Sequence, residues 1–248
     1  MFNSNLLIQI KAKLEDLQSQ KSWKLVLNSW LRTQLTYTSN SIEGNTLSLI
    51  ETSIIINDNQ GVAGKSLREI NEAKNHAAAW DFIQQELVGK ESENLNQNDL
   101  LNIHSLILKN IDDLNAGKYR NIGVRIAGSQ SLFPNPLKVT NLMDETFSWL
   151  VKSNFEEVES VLKVAILSHL KIVKIHPFTD GNGRTVRLFM NTILMQNKLP
   201  PIDILPEKRK EYLETLENSD IHNPDLFFNF MFQTYSENLE NYLKTFNN

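Results

Sequence analysis

The chain contains no cysteine. That excludes disulfides, thiol nucleophiles and zinc–thiolate sites, and it suits an intracellular protein. Positive charge is not in excess: the net charge is −4 at pH 7, which argues against nucleic acid as the main partner. No apolar run approaches the length that spans a bilayer, and Met1–Gln20 lacks an apolar stretch ending in a small-residue cleavage site. No membrane association is expected, and the cytoplasm is the expected compartment. Internal repeats and low-complexity tracts are missing. So is the alternation of strand and helix patterns that a parallel sheet requires.

What remains is 248 residues, 41% of them hydrophobic, enough for one large domain or a domain with an extension. Apolar residues recur at helical spacing in most of the chain. Leu6, Leu7, Ile10, Leu14 and Leu17 make one stripe, and Trp30, Leu31 and Leu35 belong to a second helix over 22–43. A helix over 66–87 carries Leu67, Ile70, Ala73, Ala77, Trp80 and Ile83. Polar residues 90–97 precede a helix over 98–109, on which His104 reads as structural. Helices over 142–152 and 155–174 follow, the second strongly apolar and so central. His169 lies on it without metal-ligand spacing. Pro200-Pro201 breaks the chain before helices over 207–218 and 226–246. Ile54-Ile55-Ile56 and Gly61-Val62-Ala63-Gly64-Lys65-Ser66 imitate a strand and P-loop. The first glycine of that motif is replaced by Asn59, so a plain loop leading into a helix is expected.

One stretch concentrates the chemistry: His176-Pro177-Phe178-Thr179-Asp180-Gly181-Asn182-Gly183-Arg184-Thr185-Val186-Arg187. Gly181-Asn182-Gly183 can turn consecutive N–H groups toward one anion, because glycine tolerates left-handed backbone. Val186, Phe189, Met190, Ile193 and Leu194 then continue as a helix, so the loop sits at a helix N-terminus, where free N–H groups and the dipole favour anions. Arg184 and Arg187 are three apart and share a face. Asp180 is a hard oxygen ligand of the kind Mg²⁺ takes. His176 is placed to accept a proton from a hydroxyl.

This stretch resembles the signature of the Fic (Fido) family, H-P-F-x-D/E-G-N-G-R-x-x-R, at every fixed position. The resemblance implies an all-α fold, a Fic-type helical core with one β-hairpin flap. It also implies transfer of AMP from ATP to a Ser, Thr or Tyr hydroxyl of a target protein or of the chain itself. On it, His176 is the general base and Asp180 binds Mg²⁺. Gly181, Asn182 and Gly183 form the hole for the α- and β-phosphates, Arg184 and Arg187 hold the β- and γ-phosphates, and Phe178 anchors the loop. Residues 117–139, with alternation at Val124 and Ile126 and turn residues at Gly128-Ser129 and Pro134-Asn135-Pro136, resemble the flap that docks a target segment by strand-like pairing. Tyr212 and Asn218 are candidates to flank the adenine.

Upstream, Ser39-Asn40-Ser41-Ile42-Glu43-Gly44 resembles the family's inhibitory motif S/T-x-x-x-E-G/N. Ser39 and Glu43 share a helix face, Gly44 suits a helix end, and the resemblance implies that Glu43 pairs with Arg187. A carboxylate there would remove the cation meant for the γ-phosphate and repel that phosphate. The expected organisation is an N-terminal helical region with the inhibitory helix over 1–94, a Fic domain over 95–235 and the end of a C-terminal helix over 236–248. Two other activities fit the same residues: removal of AMP with Glu43 orienting a water, and a non-catalytic ATP-sensing module. The intact His176 and Asp180 disfavour the second, since a pure binder needs neither. The target is not legible, and a homo-oligomer is left open.

Overall fold

A computed structural model describes residues 4–19, 23–125 and 132–246. Ten α-helices fall within these residues: α1 Ser4–Ser19, α2 Trp23–Ile42, α3 Leu49–Asn57, α4 Leu67–Phe82, α5 Gln97–Leu108, α6 Pro136–Val151, α7 Val158–Ile175, α8 Asn182–Gln196, α9 Arg209–Asn218 and α10 Asp225–Phe246. A π-helical turn, Ile83–Leu87, extends α4, and short 3₁₀ turns cover Ser92–Asn94 and Pro206–Lys208.

The centre is the pair α7 and α8, joined by the signature loop. Leu162, Ala165, Ile166, Leu170 and Ile172 of α7 and Val186, Phe189, Met190, Ile193 and Leu194 of α8 are fully buried. Burial on every side, rather than along one stripe, is what fixes these two helices inside the others. Around them, α5 and α6 pack on one flank, α2 and α4 on another, and α1 lies along α10. One continuous cluster of buried apolar side chains runs from Ile10 to Tyr242. At about 25 cal/mol per Å² of apolar surface removed from water, such a core is the main force positioning the loop.

Three local outcomes differ from the expectations above. Residues 49–57 form α3, not a loop or strand. Ser48 accepts from the Glu51 N–H while the Glu51 carboxylate accepts from the Ser48 N–H, a capping box that starts a helix despite three consecutive isoleucines. The helix expected from residue 142 begins at Pro136, where Asn135 caps it and proline serves as its first residue.

The third difference concerns the β-hairpin flap, which the described residues do not form: none of them is in a strand. Residues 117–125 and 132–135 run irregularly, and 136–139 belong to α6. The expected tip, 126–131, lies outside the described residues. The physical reason is visible in Arg120. Its guanidinium donates to the Ile122 carbonyl (2.8 Å) and to the Pro134 carbonyl (2.7 Å), so a side chain bridges the two arms where a backbone ladder was expected. Pro134 and Pro136 have no N–H to offer a ladder.

Among the described residues, no helix is long and apolar enough to cross a membrane.

Candidate active site

The loop between α7 and α8 is held from below. His176 caps α7 in the left-handed region, φ 51 and ψ 61, a conformation that costs a non-glycine residue free energy and persists only where surroundings impose it. Here the surroundings are Arg120. Its Nε donates to the His176 carbonyl (2.7 Å) and its backbone N–H donates to the Pro177 carbonyl (2.8 Å). Phe178 is fully buried and stacks on His104, ring centroids 3.6 Å apart. His104 Nδ1 accepts from the Gly117 N–H at 3.0 Å, so Nε2 carries the proton and donates to the Asp180 carbonyl, also at 3.0 Å. Burial holds this imidazole neutral, with its pKa lowered to about 4. Asn182 closes the loop on itself. Its Oδ1 accepts from the Phe178 N–H and its Nδ2 donates to the Phe178 carbonyl.

The turn then opens upward. Gly181 sits at φ 75, where a side chain would also press on Ile107 at 3.2 Å. The first hydrogen bond of α8 is Thr185 N–H to the Gly181 carbonyl, and no side chain caps the helix. The N–H groups of Asn182, Gly183 and Arg184 are therefore the unsatisfied donors of a helix N-terminus, and they converge on one anion site. Arg184 is buried beside it. Its Nη1 lies 3.1 Å from Glu72 Oε1, yet neither Nη1 nor Nε makes a hydrogen bond of good geometry. Buried guanidinium donors without a well-aligned acceptor suit an incoming oxyanion.

That anion site is closed by Glu43. Its Oε1 accepts from Arg187 Nη2 at 2.7 Å, while Ser39 takes the rest of the fork: Nε donates to Ser39 Oγ (3.0 Å) and Nη2 to the Ser39 carbonyl (2.9 Å). The carboxylate lies directly over Gly183, where a β-carbon would come within 2.1 Å of Oε1. A side chain at 183 would force the Glu43 carboxylate to shift. Beside Arg187, between α2 and α8, the remaining void is about 10 Å³, room for one water at most. Burial alone would lower the Arg187 pKa; Glu43 and Tyr212 together outweigh that and raise it.

His176 stacks against Phe133, centroids 4.1 Å apart. Burial lowers its pKa to about 4, and the Arg120 charge adds to that. The ring is neutral at physiological pH and available as a base. Its Nδ1 is buried without a hydrogen bond, so Nε2 is the nitrogen left to meet a hydroxyl.

Asp180 presents the one carboxylate of the loop. Burial raises its pKa, but Arg184, the Gly181 N–H and Arg68 together pull it below the ordinary value, so it stays anionic. No group of three or more His, Cys, Asp or Glu gathers as a metal site among the described residues. A single ionised carboxylate beside a phosphate site still fits Mg²⁺, which keeps several waters and takes one or two carboxylates plus phosphate oxygens.

Tyr212 and Asn218 are placed differently from each other. Tyr212 is buried, its hydroxyl hydrogen-bonded to His169 Nε2 at 2.9 Å and its ring 6.0 Å from the Arg187 guanidinium carbon. It supports Arg187 from beneath. Asn218 is exposed and lines a cleft of about 320 Å³ with Phe133, Lys174 and Glu217. Four residues that sequence reasoning left out or read as inert belong to this site: Arg68, Glu72, His104 and Arg120. A basic residue in the first turn of a helix, as Arg68 is, runs against the helix dipole and was the available signal.

The scaffold and the loop together define a class: helical proteins built around one glycine-turned, phosphate-sized anion pocket. The Fic/DOC family model matches residues 94–194. Protein adenylyltransferase Fic of Nematostella vectensis is 36% identical over 207 residues, 84% of this chain and 48% of that protein. Protein adenylyltransferase fic-1 of Caenorhabditis elegans is 32% identical over 84% of this chain and 40% of its own length. The chain thus spans about half or less of these relatives. A solved structure of Fic-1 from C. elegans superposes with a TM-score of 0.88 at 27% identity, covering 98% of this chain and 72% of that one. A Fic domain protein from Bacteroides thetaiotaomicron shares the fold, with a TM-score of 0.80 at 23% identity over 96% of both chains. The chain belongs to the Fic family.

Proposed function

We propose that the protein is an autoinhibited protein adenylyltransferase that moves AMP from ATP to a Ser, Thr or Tyr hydroxyl, on a target protein or on itself. The observation that carries this reading is Glu43 bound to Arg187 above Gly183. A carboxylate held by the cation beside a helix N-terminus marks the place of a phosphate and keeps it filled.

In the released state the N–H groups of residues 182–184 and the two guanidiniums grip the triphosphate and aim the α-phosphorus toward His176. His176 Nε2 takes the proton of the target hydroxyl. The hydroxyl oxygen bonds to the α-phosphorus, the bond to the bridging oxygen breaks, and pyrophosphate leaves. Arg184, whose buried Nε and Nη1 lack a well-aligned hydrogen bond, receives the charge that develops on that pyrophosphate. A divalent cation bound at Asp180 would neutralise further charge there. The segment around 117–139 is the docking surface for the target. Phe133 already lies against the imidazole, so a docked hydroxyl would arrive beside the base.

The test uses ATP labelled in its α-phosphate. Glu43→Gly should raise self-labelling at least tenfold over the parent chain, with an added mass of one AMP. His176→Ala in that background should return it to baseline. Unlabelled Glu43→Gly protein with ATP bound would convert the reading to a nucleotide sensor. The carboxylate of Glu43 at the mouth of the anion turn, where it could orient a water, supports a second reaction at the same site, hydrolysis of the AMP–protein bond. Loss of AMP from labelled protein on restoring Glu43 would establish it.

A further inference from the structure

Asp180 has two carboxylate oxygens, and their surroundings differ. Oδ1 accepts from the Gly181 N–H at 2.6 Å and from Arg184 Nη2 at 3.3 Å, both on the inner side of the loop. Oδ2 accepts from Arg68 Nη2 at 2.5 Å. Arg68 comes from α4, 112 positions earlier in the chain. The oxygen that a metal ion would use is thus already taken by a guanidinium.

The origin of Arg68 makes this contact telling. It is the second residue of α4, between the capping partners Ser66 and Glu69. A cation in a first turn faces the positive end of the helix dipole, and the usual choice there is acidic. The helix dipole therefore gives no reason for an arginine at 68. Its partners do. Its Nε donates to Glu72 Oε1 at 3.2 Å, one turn on. Glu72 also faces Arg184, and its Oε2 accepts from Asn45 Nδ2 at 3.0 Å. Asn45 follows Glu43 and Gly44, so the carboxylate that steadies Arg68 is tied to the segment that closes the anion pocket.

We propose that Arg68 is the residue that sets the affinity of the site for its divalent cation: it holds the cation's place at Asp180 and must be displaced before the ion binds. This rests on the reading of Asp180 as the cation ligand. The geometry allows displacement at small cost. Arg68 is 58% exposed, so its ion pair is screened by water and weak compared with a buried one. Released from Asp180, it keeps Glu72. Mg²⁺ needs the oxygen within about 2.1 Å, which excludes a guanidinium from the same lone pair. In the resting protein the two positions are thus filled by side chains of matching charge, Glu43 in place of phosphate and Arg68 in place of the cation.

The experiment is a Mn²⁺ titration followed by the electron paramagnetic resonance signal of the free ion, with saturating α,β-methylene-ADP, whose carbon bridge blocks release of AMP. Four proteins are compared: the parent chain, Arg68→Ala, Asp180→Asn, and the double variant. Arg68→Ala should bind Mn²⁺ about tenfold more tightly than the parent chain. The gain should vanish when Asp180 is also replaced. Equal or weaker binding by Arg68→Ala would overturn the proposal, the weaker case meaning that Arg68 grips phosphate instead. A gain that survives in the double variant would overturn it as well. Binding insensitive to Asp180→Asn alone would remove Asp180 as the ligand. Each of these results is independent of whether AMP is ever transferred.

Discussion

The signature loop is held from two sides, and the two sides hold it differently. From the α2 and α4 side the contacts are ion pairs, Glu43 to Arg187 and Arg68 to Asp180. From the side of residues 104–135 they are backbone carbonyls and stacked rings. Arg120 binds the His176 carbonyl, His104 binds the Asp180 carbonyl, and Phe178 is wedged on His104. On the proposed function, a nucleotide with its cation carries both signs of charge and would replace the first set. It offers nothing to replace the second. One side is a cover that ligand chemistry can lift; the other is a foundation that keeps the base and the turn in place whether the site is open or shut.

The foundation should yield the largest effects. Arg120 is buried and supplies four carbonyl contacts, to Ile122, Pro134, His176 and, at 3.4 Å, Ile175. Arg120→Ala should cost about 3 kcal/mol of stability, since several buried acceptors lose their donor together. In the Glu43→Gly background it should also lower labelling about a hundredfold, because an imidazole displaced by an ångström is a poor base. Arg120→Lys, which keeps the charge but not the fork, should recover part of the labelling. Affinity for ADP, measured by calorimetry, should change little in the lysine variant. A parallel collapse of ADP binding would mean that Arg120 shapes the anion turn and not the base.

The sequence disclosed the two sides unequally. Everything from His176 to Arg187 lies within twelve consecutive positions, so its chemistry and its helix were readable directly. Ser39 and Glu43 stand out only beside the family resemblance, since a serine and a glutamate near a helix end are ordinary in isolation. Arg68, Glu72, His104 and Arg120 join the loop across 56 to 112 positions, and no periodicity encodes such contacts. His104 reads as structural and does hold structure, but what it holds is the Asp180 carbonyl. The α3 helix was missed because three isoleucines suggest a strand. The capping pair Ser48 and Glu51 was the stronger signal. The hairpin was expected from alternation around Val124 and Ile126, while the prolines at 134 and 136 pointed the other way.

Acid should sharpen the contrast by weakening the foundation. Burial lowers His104 and His176 to about 4 and His76 and His169 to about 3. The unfolded chain takes up these protons near pH 6.5 and the folded chain does not, so stability is full above 6.5 and falls as pH drops toward 4. Each histidine contributes about 2 kcal/mol of loss by pH 5. Buried Asp203, raised by burial to about 6, acts in the opposite sense: it binds a proton in the folded state first and offsets one histidine. The melting temperature should therefore be markedly lower at pH 5 than at pH 7. A flat profile would mean that these imidazoles are protonated in the fold.

The smallest effect separates charge from shape in the cover itself. Glu43→Gln removes the negative charge but keeps a side chain over Gly183 whose amide oxygen still accepts from Arg187. Repulsion of the γ-phosphate is lost and the steric block stays. ATP affinity should rise about three- to tenfold, with a smaller rise for ADP, which has no γ-phosphate to repel. Labelling should remain well under that of Glu43→Gly, because the α-phosphate is still kept from its aligned position. If the glutamine variant labels as fast as the glycine variant, the block is electrostatic alone, and the seating of the side chain over Gly183 has no part in inhibition. If ATP affinity does not change, charge has no part, and Arg187 is restrained by Ser39 and by packing rather than by its ion pair.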